Sequence, residues 1–435
     1  MTTLNVYFNN THCARLTESA NGSLEFQYLE SWLAAGRSPV SLRLPVEEVV
    51  YEHVQVAPFV AAVLPEGEGL RSRLKQIFHG DAEYDFGLLS LIGRECAGAL
   101  SFWPEDESPL DNEARYSALS LQDFRTWREY AHHLPFQFPG KTIRLSLAGA
   151  QAKTALYFDD QDNPFFPENG AATSHILKPR IQGCVPSTVF TELLTMRLAR
   201  AVLGEEEVPS TDLWQSCYRI RRFDRPKSGS GVRRLHQEDF CLALGRMPGQ
   251  KYEMGSPQER LLSPCFDLLD TLGDNGLVAS PALERLRLLN QVILNVLLHN
   301  PDAHLKNYAL LYLDDGSLRI APLYDCLCTF GLNFEAAGSA WAQDAGPAAH
   351  TRQMSLSIGN AVLIDQIGWQ DWEYFAIECG FTKAYVRRRV RAMAEAVIAV
   401  SQPVLDSVLE EHPNAERAAQ AVKSGVTAQV RMALN

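Results

Sequence analysis

An aspartate, an asparagine and a second aspartate punctuate one short stretch of the chain, HNPDAHLKNYALLYLDDGSLRIAPLYDC, residues 299–326. Phosphoryl transfer asks for such a set. One carboxylate orients the attacking hydroxyl, and an amide oxygen with a second carboxylate holds magnesium against the phosphates. Asp302 and Asn307 stand at the D-x-x-x-x-N spacing of a kinase catalytic loop, and Asp325 follows. Asp302 is thus the candidate catalytic residue, with Asn307 and Asp325 the candidate Mg2+ ligands. Each has a plainer reading by itself: Asp302 as a cap, Asn307 as a turn former, Asp325 as a strand end. His304 and Lys306, between the key residues, could touch a phosphate or simply pack.

The neighbouring elements must bring these residues together. The apolar-periodic helix LLNQVILNVLLHN is expected to end near Asn300 and Pro301, leaving Asp302 on a loop behind a buried helix. YALLYL and SLRIAPLYD flank Asp314-Asp315-Gly316, a tight-turn signal, so a hairpin carries the chain away and returns Asp325 near Asn307. Such a site also needs a phosphate-covering loop and a lysine paired to a helix glutamate. RLSLAGAQAKTALYF supplies a small-residue turn, Ala148, Gly149, Ala150 and Gln151, between two strands, where N–H groups could approach phosphate oxygens or merely close a hairpin. Lys178 lies on the next strand; in a central strand it needs a partner or a phosphate, at an edge it does not. Glu192 falls in the helix STVFTELLTMRLARAVLG, where it can face inward beside Leu193 and Met196 and pair with Lys178, or stay solvated. The joint order of loop, lysine strand, glutamate helix, catalytic loop, hairpin and second acid is what favours phosphotransfer.

The rest of the chain sets bounds. Its 435 residues exceed the size of one hydrophobic core, about 250–300 residues, so two or three domains are expected. Residues 1–105 mix short alternating stretches (LNVYF, LEFQYL, SLRLPV) with helical patterns (VAPFVAAVLPEG, LRSRLKQIF); residues 106–235 are dominated by strand signals, and residues 236–435 by helical periodicity. The Pro and acidic cluster at 104–111 marks the first boundary. VAPFVAAVLP is the longest apolar run read here, far short of the roughly 20 residues of a membrane helix, and the N-terminus lacks a signal-peptide pattern, so a cytoplasmic protein without a membrane is expected. Nine scattered cysteines argue for reduced, buried thiols, and the Cys326 and Cys328 pair has no second pair to complete a zinc site. A net charge of -12 disfavours nonspecific binding to nucleic acid, although KAYVRRRVR sets Arg387, Arg388, Arg389 and Arg391 on one helix, as a local basic patch or a solvated face.

Several further stretches go with these: VYFNN and FGLLSLIGRECAGALSFWPEDE near the N-terminus, SLAGAQAKTAL in the middle, RRFDR, HQEDFCLALG and KYE after it, and NPDAHLKN with PLYD. On them the chain resembles, nearly end to end, the HipA family of bacterial toxin serine/threonine kinases. The resemblance implies an α+β, two-lobed protein-kinase-like fold with an extra N-terminal α/β subdomain and a mainly helical C-terminal lobe. It implies ATP and Mg2+ as cofactors, Lys178 as the ATP lysine, Lys153 in the phosphate-binding loop, and an adenine-gripping hinge near Arg221, Arg222 and Phe223. Ser146 maps to a serine that is autophosphorylated in the family; a phosphate of about -1.5 to -2 charge on a loop that closes over ATP would eject it. The implied partners are a HipB-like helix-turn-helix antitoxin bound to operator DNA and a protein substrate of translation such as glutamyl-tRNA synthetase. Arg387, Arg388 and Arg391 could then reach DNA held by the antitoxin. Two other readings share these residues: a small-molecule phosphotransferase, and a pseudokinase-type corepressor that binds a DNA-associated antitoxin without transferring phosphate.

Overall fold

Strand β1 (Thr2–Phe8) is buried on both faces from Leu4 to Tyr7. In the computed structural model, which describes residues 1–67, 71–74, 76, 84–111, 114–131, 137–142, 145–147, 151–229, 231–253, 259–333 and 352–435, the chain forms two units whose segments alternate along the sequence. One comprises Met1–Pro179, Arg221–Pro248 and Leu310–Gly316; the other comprises Arg180–Ile220, Gly249–Ala309 and Ser317–Asn435.

In the first unit β1 sits between β2 (Thr11–Glu18) and β5 (Leu100–Pro104), while β3 (Leu24–Tyr28) and β4 (Val50–Tyr51) extend the antiparallel sheet beyond β2. Helix α1 (His53–Ala62) covers it, with Phe59 packing on Phe26 of β3 and Phe102 of β5 at ring separations of 5.8 and 6.1 Å. SLRLPV, expected as a strand, forms a turn with a single bridge between Ser41 and Leu44. A distant carboxylate, Glu238, accepts from Ser41 Oγ at 2.5 Å and from the Leu42 N–H at 3.0 Å, taking a main-chain donor that a strand ladder would use. A second run of antiparallel strands follows in the order β6 (Arg115–Ala118), β8 (Pro164–Glu168), β7 (Thr154–Phe158), β9 (His175–Lys178). LRSRLKQIF lies partly outside the described residues.

The second unit is mainly helical. Helix α2 (Thr188–Leu203) packs against α6 (Lys383–Glu411) and α7 (Glu416–Leu434); α3 (Leu262–Asp274) packs against α4 (Pro281–Leu297), and α5 (Trp369–Glu378) against α6. Ser280 precedes α4 and Pro281 opens it, where the missing N–H costs nothing. The exit is set by His299 rather than by Pro301: α4 ends at Leu297 and His299 turns left-handed at φ 56°. Among the described residues helix α6, not VAPFVAAVLP, is the segment long and apolar enough to cross a membrane by length and composition. Its buried residues, among them Val386, Val390, Met393 and Val397, form the side that meets its neighbouring helices. All nine cysteines are free and buried.

Candidate catalytic loop and its surroundings

A ladder of amides fixes the loop that follows α4. Gln291 donates to the Ala321 carbonyl at 2.8 Å, Asn295 to the Gln291 carbonyl at 3.0 Å, and Asn300 to Asn295 Oδ1 at 2.7 Å. The helix exit and the return segment therefore share one set of buried hydrogen bonds. The chain leaves as Ala309–Tyr312, turns with Gly316 at φ 82°, and returns as Leu318–Ile320, the Ala321 N–H donating to the Ala309 carbonyl at 2.8 Å. Asp325 then adopts φ 57°, an uncommon backbone for a residue with a Cβ.

That geometry brings the two candidate metal residues together. Asn307 is buried, its Oδ1 accepting from the His304 N–H at 3.0 Å and its Nδ2 donating to Asp325 Oδ2 at 3.3 Å. Asp325 and Asp302 are exposed, and Asp302 Oδ1 accepts from Ser355 Oγ at 3.1 Å. One amide and one carboxylate are hard oxygen donors, and the pair suits magnesium, which is usually held by one or two protein groups and completed by phosphate oxygens and water. Among the described residues no group of three or more His, Cys, Asp or Glu could hold a metal ion.

The histidine of the loop is not a cation near neutral pH. Burial holds His304 well below the usual imidazole range, and Lys251 and Lys306 add to the effect against the opposing charge of Asp325. Lys306 is buried and its carbonyl accepts from Tyr324 Oη at 2.6 Å, so the residue before Asp325 is tied to the residue before Asn307. Glu192 is buried on α2, close enough to Tyr218 and Cys326 to raise both after burial has done so. It therefore faces inward toward the segment that carries Asp325, as the spacing with Leu193 and Met196 suggested.

The remaining expected residues lie in the first unit. Lys178 ends β9 and is buried; Gln151 and Lys153 lead into β7 half-buried. Ala148, Gly149 and Ala150 lie outside the described residues. Ser146 is fully buried, pairs with Cys96 in a short parallel bridge, and donates its hydroxyl to the Val63 carbonyl. Arg222 is also buried, and all five of its N–H donors are used: two bonds to Asp224 at 2.9 and 2.7 Å, one to Glu95 at 3.2 Å, one to Thr173 Oγ1 at 2.8 Å and one to the Cys96 carbonyl at 3.2 Å. Its side chain is committed inward, so any part in a cofactor site falls to its main chain and to the half-buried Phe223 beside it.

Sequence reasoning missed Ser355 and Glu253. KYE stands out only as a family stretch and the serine in QMSLSI carries no signal, since Ser355 meets Asp302, and Glu253 meets the strand of Ser355, from segments far away in the chain. Arg387 and Arg391 lie over the Trp369 ring at 4.8 and 5.3 Å and Arg388 over Tyr385 at 5.6 Å, whereas Arg389 turns to Asn290 at 2.6 Å.

Comparison with known proteins converges on one family. The HipA N-terminal domain matches residues 4–103 and the HipA-like C-terminal domain residues 145–401. The Sinorhizobium fredii protein Y4mE is 33% identical over 420 residues, covering 94% of each chain. The serine/threonine-protein kinase toxin HipA of Shewanella oneidensis is 27% identical over 309 residues, covering 68% of each. Among solved structures, the complex of Shewanella oneidensis HipA and HipB with operator DNA contains a chain of the same fold, at a TM-score of 0.76 and 21% identity, covering 99% of this chain and 97% of that one.

Proposed function

The chain belongs to the HipA family and has its α+β, kinase-like fold, and from that premise we propose that it is the toxin kinase of a toxin-antitoxin pair, transferring phosphate from ATP with Mg2+ to serine or threonine in a protein. The observation that carries the reading is the approach of Asn307 Nδ2 to Asp325 Oδ2 at 3.3 Å behind an exposed Asp302. In this reading Asp302 orients the substrate hydroxyl and accepts its proton as the bond to phosphorus forms. Asn307 and Asp325 hold the magnesium, which neutralises charge on the phosphates when bound. Catalysis is mostly positioning and electrostatics.

Lys178, Glu192, Lys153, Gln151, the 148–150 turn and the main chain near Phe223 are assigned to the nucleotide as the family resemblance implies, with His304 and Lys306 as secondary phosphate contacts. His304 would serve there as a neutral imidazole. Ser146 is assigned as the self-modification site. Its hydroxyl is buried against the Val63 carbonyl, so a phosphate there cannot remain in place and must expel the strand. A HipB-like helix-turn-helix antitoxin is the proposed partner, with Arg387, Arg388 and Arg391 supplying charge toward DNA that it holds. A translation protein such as glutamyl-tRNA synthetase is the proposed substrate.

The test is intact mass after incubation with magnesium and ATP, starting from unphosphorylated protein, beside Asp302→Ala and Ser146→Ala. One added phosphate on the wild type and none on either variant is expected. Nucleotide binding without any transfer would overturn the kinase reading in favour of a binding module.

A further inference from the structure

Strand β10 (Gln353–Ile358) alternates two chemistries. Met354, Leu356 and Ile358 line a small cavity with Val292, Pro301 and Tyr308 beneath the candidate catalytic loop. The period of two then sends Ser355 and Ser357 to the opposite face, where both are buried.

Ser355 is gripped from both sides. Its N–H donates to the Pro301 carbonyl at 2.8 Å and its own carbonyl accepts from the Glu253 N–H at 2.9 Å. Two residues further along, the Ser357 N–H donates to Glu253 Oε2 at 2.9 Å, and its hydroxyl donates to the same oxygen. Glu253 Oε1 accepts from the Leu261 N–H at 2.9 Å, which ties the carboxylate to the start of α3. With the main chain held this way, the Ser355 hydroxyl donates to Asp302 Oδ1 at 3.1 Å. The last torsion of an aspartate is broad, so a fixed donor on one oxygen biases which oxygen faces where.

We infer that Ser355 is a positioning residue for phosphoryl transfer, anchored by Glu253: its hydroxyl holds Oδ1 of Asp302 so that Oδ2 meets the acceptor hydroxyl. This rests on the kinase reading above. In this reading Ser355 acts through Asp302.

The test is the initial rate of phosphate incorporation into the protein from radiolabelled ATP and magnesium, across an ATP series, for the wild type, Ser355→Ala, Ser355→Thr and Asp302→Ala. Ser355→Ala is expected to lower the maximal rate about tenfold with the half-saturating ATP concentration unchanged, and Ser355→Thr, which keeps the hydroxyl, to restore most of it. A maximal rate for Ser355→Ala equal to that of the wild type overturns the inference while leaving the kinase reading intact. So does a loss that threonine fails to rescue and that tracks a fall in melting temperature. No incorporation by the wild type removes the kinase reading, and the inference with it.

Discussion

At the scale of single residues, the placement of the candidate site is legible where it follows local spacing. Asp302 and Asn307 are five apart on one loop, and the Asp314-Asp315-Gly316 turn brings Asp325 back over a short distance. Ser355 was not legible, because a serine in a strand carries no spacing signal toward a loop far upstream. The same limit applies to Arg222: the resemblance sets it near an adenine-gripping hinge, and nothing in its spacing shows that its five donors go to Glu95, Asp224, Thr173 and Cys96. If Asp325 holds the metal, Asp325→Asn keeps the shape and removes one charge. The transfer rate should fall about 100-fold or more, and more magnesium should be needed to reach half of it. A magnesium titration of the rate checks this, and a curve superimposing on the wild type would remove Asp325 from the metal.

At the scale of elements, the helix α7 shows how a scaffold residue reaches the site. Cys328 and Phe330 lie just beyond Asp325, and a Cβ built on Gly425 of α7 would stand 2.6 Å from Phe330 Cβ and 3.1 Å from Cys328 Sγ. The glycine is needed for close approach rather than for an unusual backbone. On the other side, the Cys328 N–H donates to Thr195 Oγ1 of α2 at 3.1 Å, so the segment is clamped between two helices. The periodicity of α2 and α6 was read correctly from the sequence; this clamp was not, since a glycine in a helix reads only as a weak point. Gly425→Ala should cost about 1–3 kcal/mol of stability by overpacking and should also lower the transfer rate, because the displaced segment carries Asp325. Urea unfolding and the rate measured together decide it: a destabilised variant with wild-type activity would show that the clamp does not position the acid.

At the scale of the molecule, the first unit is stitched from segments far apart in the sequence, and its buried charges do the stitching. Glu95 is pressed upward by burial, but Arg225, Arg234 and Arg222 overcome this and hold it at about 2. Glu238 is the opposite case. Burial outweighs the hydrogen bonds from Ser41, Leu42 and Tyr312 and pushes it up to about 7 from 4.5. Its folded form keeps a proton that the unfolded chain releases, so its contribution is full below about 4.5 and is lost as pH rises through about 7. His236, two residues away, is driven down by burial to about 4, so its contribution is full above 6.5 and is lost as pH falls toward 4. Between about 4.5 and 6.5 the two slopes oppose each other. Glu238→Gln removes one of them while keeping an acceptor for Tyr312 and Leu42 and a donor for Ser41. The melting temperature of the variant relative to the wild type should therefore climb with pH from about 4.5 to about 7 and then level off. A difference that does not vary with pH would mean that Glu238 ionises normally, and that Ser41 and Leu42 hold an ordinary carboxylate.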